Sequence, residues 1–123
     1  RIHKYRELVE KYTNAESLPE VTIGVVGKYA SLADAYLSLK EAIYHAGVSN
    51  NYRVNIKWIE AEKLEEYSTL RGLSKFFEGV SGLIVPGGFD TRGIEGKLRA
   101  IQYARERKIP FLGICLGLQC AVI

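Results

Sequence analysis

The chain reads as an α/β domain, a doubly wound and mainly parallel sheet with helices on both faces. Three features of the sequence carry that reading. Short runs rich in β-branched residues alternate with longer stretches whose apolar positions recur at helical spacing. The runs are apolar almost throughout rather than at every second position, as strands covered on both faces are. Glycine- and proline-bearing breaks follow the runs, where a parallel sheet turns into its crossover helices.

The elements follow in order. Ile2, Tyr5, Leu8, Val9 and Tyr12 sit at helical spacing and predict a short amphipathic helix over residues 1–12. Asn14 and Pro19 punctuate a polar break behind it. The run Val21-Thr22-Ile23-Gly24-Val25-Val26 predicts a buried strand. Tyr36, Leu37, Ile43 and Ala46 mark a helix over residues 34–46, with Gly47 as its expected stop. Residues 52–59 predict a second strand. Residues 62–77 predict one or two helical turns broken near Gly72. Gly82-Leu83-Ile84-Val85 predicts a third strand. Ile94, Leu98, Ile101 and Ala104 mark a third long helix. Residues 110–114 predict a fourth strand, and another helix starts at Cys115 to Gly117. Strand and helix alternating in this way imply a flavodoxin-like sheet, here a partial domain. Ligands of such sheets bind beyond the carboxyl ends of the strands. Those ends are Gly27-Lys28-Tyr29, Glu60, Pro86-Gly87-Gly88-Phe89 and Cys115-Leu116-Gly117.

Bulk composition narrows the function. With 123 residues and 47% hydrophobic content the chain can bury one real core. The net charge of +3 is modest, and the basic residues are dispersed rather than striped, which argues against nucleic-acid binding. No stretch approaches the roughly 18 apolar residues of a membrane span. Cys115 and Cys120 are spaced for neither a disulfide framework nor a zinc site, so a reducing cytoplasmic setting and no metal are expected. The sequence holds no methionine, so position 1 is expected not to be a natural start, and both ends read as cuts. Residues 1–20 read as a connector from something upstream.

The sharpest motif is Gly113-Ile114-Cys115-Leu116-Gly117, placed where a strand turns into a helix. A nucleophile elbow needs small residues two before and two after the nucleophile, because the turn is tight. Here cysteine stands where a hydrolase would have serine. A sulfur at a helix N-terminus is favoured as thiolate, and the Leu116 amide would face a developing oxyanion. The bland alternative is that Cys115 is a small buried hydrophobe, as most free cysteines are. Two flanking glycines at a strand-to-helix junction favour the elbow. Cys120 has no such setting and reads as core packing. Adjacent Gly87 and Gly88 could expose N–H groups as the second oxyanion donor, whereas read alone they are an ordinary turn. Gly24-Val25-Val26-Gly27-Lys28 has the wrong spacing for a phosphate loop, and Tyr29 stands where Ser or Thr would hold magnesium. His3 lies in the connector and His45 lies mid-helix, so neither offers an obvious general base.

Gly113-Ile114-Cys115-Leu116-Gly117-Leu118-Gln119 resembles the nucleophile motif of the class I (triad) glutamine amidotransferases, and Pro86-Gly87-Gly88-Phe89 resembles their oxyanion segment. Val26-Gly27-Lys28-Tyr29, Asp34-Ala35-Tyr36-Leu37-Ser38, Val54-Asn55-Ile56-Lys57-Trp58-Ile59 and the stretch from Pro86 to Lys97 resemble, more narrowly, the CTP synthase family. The resemblance implies that residues 21–123 are the N-terminal part of a glutamine amidotransferase domain and residues 1–20 a linker from an absent synthase domain. It implies Cys115 as catalytic nucleophile and Gly87, Gly88 and Leu116 as the oxyanion hole. Gly88, Leu116, Gly117, Leu118 and Gln119 would contact glutamine. It also implies ammonia transfer to a synthase domain that binds UTP, ATP and magnesium, GTP as allosteric activator, and a homo-tetramer. The family's catalytic histidine and glutamate lie well downstream of the cysteine, so this stretch alone is expected to be inactive. A cysteine-elbow hydrolase or stress protein of the same architecture, and a non-catalytic module of that fold, are the competing readings.

Overall fold

A computed structural model describes residues 4, 6, 7, 9, 17–27, 36–67, 69–86 and 94–122. Ahead of the sheet, Lys4, Arg6, Glu7 and Val9 are helical. The elements are β1 (Glu20–Gly27), α1 (Leu37–Ser49), β2 (Arg53–Glu60), α2 (Ala61–Leu64), α3 (Leu70–Leu73) with a 3-10 turn (Ser74–Phe77), β3 (Gly82–Val85), α4 (Ile94–Arg107), β4 (Phe111–Gly113) and α5 (Leu116–Val122). The strands form one parallel sheet in the order β2-β1-β3-β4. That order reverses between β1 and β3, which is the switch point of a flavodoxin-like fold.

The pairing register sorts the side chains onto two faces. Val25 pairs with Trp58 and with Ile84, and Ile84 pairs with Leu112, so these four share one face. Val26, Ile59, Leu83 and Val85 point the other way. On that second face they join Ala61, Leu64, Leu73, Phe77, Ala100, Tyr103 and Ala104 in the main core. Phe77 and Tyr103 stack there with ring centroids 4.5 Å apart. The first face is covered over β2 by α1, where Tyr36 stacks on Trp58 at 6.2 Å. Beyond α1 the same face opens into an apolar groove of about 380 Å³ lined by Val21, Ile23, Ile43, Val54, Ile84 and Leu112.

Four strands and the helices between them lie where the sequence places them, with two differences. Gly47 does not stop α1 but lies inside it. A Cβ there would collide with Cγ2 of Val54, so the glycine is a contact point that lets α1 press on β2. The stop comes at Asn50 and Asn51. Asn51 takes φ +66°, a left-handed conformation asparagine tolerates, and the Asn50 side chain donates to the Ala46 carbonyl at 2.7 Å. Gly72 likewise does not break the segment before β3. The break falls at Glu65–Tyr67, and Gly72 sits within α3 with its N–H donating to the Thr69 hydroxyl at 3.1 Å. Thr69 thereby acts as a cap, a signal that outweighs the helix penalty of glycine. The expected residues Lys28, Tyr29 and His3 lie outside the described residues.

The core on the second face sets stability. Leu64 is fully buried within it. We expect Leu64→Ala to cost about 2–5 kcal/mol, measured by urea denaturation of the full-length protein, through lost burial and the cavity left behind. Leu37→Ala, at a position 54% exposed on α1, should stay within about 0.5 kcal/mol of native.

Candidate active site at the β4–α5 turn

Three hydrogen bonds build the turn after β4. The Ile114 amide donates to the Val85 carbonyl at 3.0 Å, which ties the end of β4 to the end of β3. The Gly117 amide donates to the Ile114 carbonyl at 3.0 Å and closes a tight turn. The Gln119 amide donates to the Cys115 carbonyl at 3.0 Å and starts α5. Between these bonds Cys115 is driven to φ +55°. A side-chain-bearing residue in that region is strained by about 1–2 kcal/mol.

The glycines explain why the chain can turn so sharply. A Cβ on Gly117 would collide with the Val85 carbonyl, and one on Gly113 would lie 2.9 Å from the Gly117 backbone. Helix α5 therefore starts in direct backbone contact with β3, at the carboxyl edge of the sheet. Cys115 is exposed at that edge and carries a free thiol.

The other sequence-derived site residues divide clearly. Gly117 is buried against β3, and Leu118 and Gln119 are exposed on α5. Leu116 begins α5 directly after Cys115. Gly87 and Gly88 lie outside the described residues, although Pro86, which leads into them, is buried at the end of β3. Cys120 is buried, 3% exposed, as expected of a packing residue. His45 lies in the second half of α1, towards the sheet edge opposite the strand ends that carry Cys115. Among the described residues no group of three His, Cys, Asp or Glu side chains could hold a metal, and no helix is long and apolar enough to cross a membrane.

Two cations escaped the sequence reading. Lys97 on α4 is buried. Burial pushes its ammonium below the usual lysine range, and the Cys120 thiol on α5 offsets part of that. A lysine three and seven residues before the buried Ala100 and Ala104 could have been recognised as lying on the core face. Arg99 donates to the Tyr67 carbonyl and so pins the break between α2 and α3. No local pattern signals that contact, which spans 32 residues.

The fold and the turn define a parallel α/β domain that presents an exposed cysteine on a strained strand-to-helix elbow. Residues 31–123 match the family model of the class-I glutamine amidotransferases. The chain belongs to that family. Among curated relatives it is 61% identical over 84% of its length to the CTP synthase of Thermus thermophilus, and covers 18% of that protein. It is 55% identical over 99% of its length to the CTP synthase of Thermococcus gammatolerans and 52% identical to that of Carboxydothermus hydrogenoformans, covering 22% of each. The chain thus spans about a fifth of the length of these relatives. Among solved structures it is similar to the glutaminase domain of Trypanosoma brucei CTPS with bound acivicin. The TM-score is 0.74 at 38% identity, covering 84% of this chain and 39% of that one.

The geometry gives opposite signs for two substitutions. Cys115→Gly should raise stability by about 1 kcal/mol by relieving the left-handed strain. Gly117→Ala should lower it by more than about 2 kcal/mol, because α5 must lift from the Val85 carbonyl. Denaturation midpoints of the full-length variants check both.

Proposed function

We propose that this chain is the nucleophile-bearing part of the glutaminase domain of a CTP synthase. The observation that carries the proposal is the exposed Cys115 at φ +55° on the β4–α5 turn, in a chain of this family. The Cys115 thiolate attacks the side-chain amide carbon of glutamine. The oxyanion that forms accepts hydrogen bonds from the Leu116 amide and from the backbone at Gly87 and Gly88. The tetrahedral intermediate collapses to a thioester, and the amide nitrogen leaves as ammonia after gaining a proton. Water then attacks the thioester carbon, regenerating the thiol and releasing glutamate. Gly88, Leu116, Gly117, Leu118 and Gln119 form part of the glutamine pocket.

The proposal extends to the whole protein. Ammonia passes to a synthase domain, upstream of the linker formed by residues 1–20, where UTP is converted to CTP at the expense of ATP. Magnesium there supplies charge neutralisation for the phosphates. GTP activates the glutaminase allosterically, the enzyme is a homo-tetramer, and it works in the cytoplasm. The general base and the residue that orients it come from polypeptide downstream of Cys115, so the 123-residue chain by itself hydrolyses glutamine only feebly.

The test is made on the full-length protein. Cys115→Ala should abolish glutamine-dependent CTP formation, by about a thousandfold or more, while leaving formation from free ammonia intact. Persistence of both activities removes Cys115 from the mechanism. Absence of CTP formation with either nitrogen source in the native protein removes the assignment to CTP synthesis. As a separate expectation, the isolated 123-residue chain should show a glutaminase rate orders of magnitude below that of the full-length protein, measured as glutamate release.

A further inference from the structure

Gly96 lies in the first turn of α4 and is buried. A Cβ there would collide with the carbonyl of Ala61, the residue that opens α2 directly after β2. The contact is backbone against backbone, so no side chain can swing aside to admit an extra atom. It seats the start of α4 at the carboxyl edge of the sheet, where β2 ends. Further along α4, Arg99 donates to the Tyr67 carbonyl just beyond α2. The first half of α4 is therefore held twice to the segment that follows β2.

This seating bears on what precedes α4. Residues 87–93 lie outside the described residues, but both of their neighbours are described. Pro86 is buried at the end of β3, next to Val85, whose carbonyl braces the Cys115 turn. Ile94 opens α4, just before Gly96. One end of the link is thus fixed by the strand and the other by the Gly96 contact. Groups on such a link are held only as precisely as the elements that support it.

We infer that Gly96 is a positioning residue for glutamine hydrolysis, because it seats one end of the link that carries Gly87 and Gly88. The inference rests on the assignment of the oxyanion donors to Gly87, Gly88 and Leu116. A methyl group at Gly96 pushes the first turn of α4 off Ala61 by on the order of 1 Å. A displacement of that size at a catalytic donor costs about tenfold to a hundredfold in rate.

Gly96→Ala in the full-length protein tests it, with assays run well below the melting temperature. Glutamine-dependent CTP formation should lose about tenfold or more in kcat, with KM for glutamine within about threefold of native. Formation from free ammonia should stay intact. Alkylation of Cys115 by iodoacetamide, which develops no oxyanion, should keep its native rate. A lower melting temperature or a higher KM with native kcat overturns the inference and leaves Gly96 a packing residue. Equal loss with both nitrogen sources overturns it, because the damage is then general. Alkylation slowed in step with kcat overturns it too, because the damage then reaches the elbow. Should Gly96→Ala fail to fold, Ala61→Gly loosens the same contact without adding an atom. It should lower kcat by about threefold with the same pattern. Cys115→Ala, run alongside, tells the two readings apart. If it keeps glutamine-dependent activity, the reading of the site fails and this inference falls with it. If it is inactive while Gly96→Ala matches native kcat, this inference alone fails.

Discussion

The contact between Gly117 and the carbonyl of Val85 is the point on which the carboxyl edge of the sheet at Cys115 is built. That carbonyl also accepts the Ile114 amide, so one oxygen at the end of β3 holds both the end of β4 and the start of α5. Once those two are fixed, the residue between them has no choice of conformation. Cys115 is held in a left-handed geometry that an unconstrained cysteine avoids, and the strain is borne by the strands and helix around it. A thiol in that geometry stands clear of the sheet instead of packing into it. The exposure of Cys115 and the burial of Cys120, five residues further on, therefore have one cause.

Glycine serves the fold through what it lacks as much as through its freedom. Gly47 and Gly117 both let a helix approach the sheet to a distance no Cβ would permit. For the Gly113–Gly117 pair, the spacing around a cysteine at the end of an apolar run made this legible in the sequence. For Gly47 the same local evidence pointed to a helix stop, since a glycine after a periodic stretch usually is one. Only the identity of the neighbour, Val54 on β2, separates the two cases, and that contact is tertiary. The break before β3 shows the same limit. Gly72 drew attention, but Thr69 capping α3 and Arg99 gripping the Tyr67 carbonyl decided where the chain turns. The apolar runs, by contrast, needed no tertiary information. Four short segments carrying apolar residues point to strands, and all four are parallel strands of the sheet, although β4 is not buried: Leu112 is 55% exposed.

The strand-to-helix turn at Cys115 was legible in the sequence for the same reason. A nucleophile elbow is a local device whose residues lie within five consecutive positions. Its partners are not local. Lys97 is placed on the core-facing stripe of α4 only by its spacing from Ala100 and Ala104, three and seven residues further on.

The two faces of the sheet differ in a way that bears on how the elbow can work. The second face is closed by α2, α3, α4 and the 3-10 turn over a continuous core, and α5 joins that layer through Gly117 and Cys120. The first face is closed over β2 and at Val25 of β1, and the groove beside α1 runs on to Leu112. Cys115 stands on the boundary. Its backbone is braced by the Val85 carbonyl and Gly117, which holds the strained turn rigid. Its thiol is exposed, as are the side chains of Leu112, Ile114 and Leu118. Among the described residues, the geometry of this edge braces Cys115 and leaves its thiol exposed.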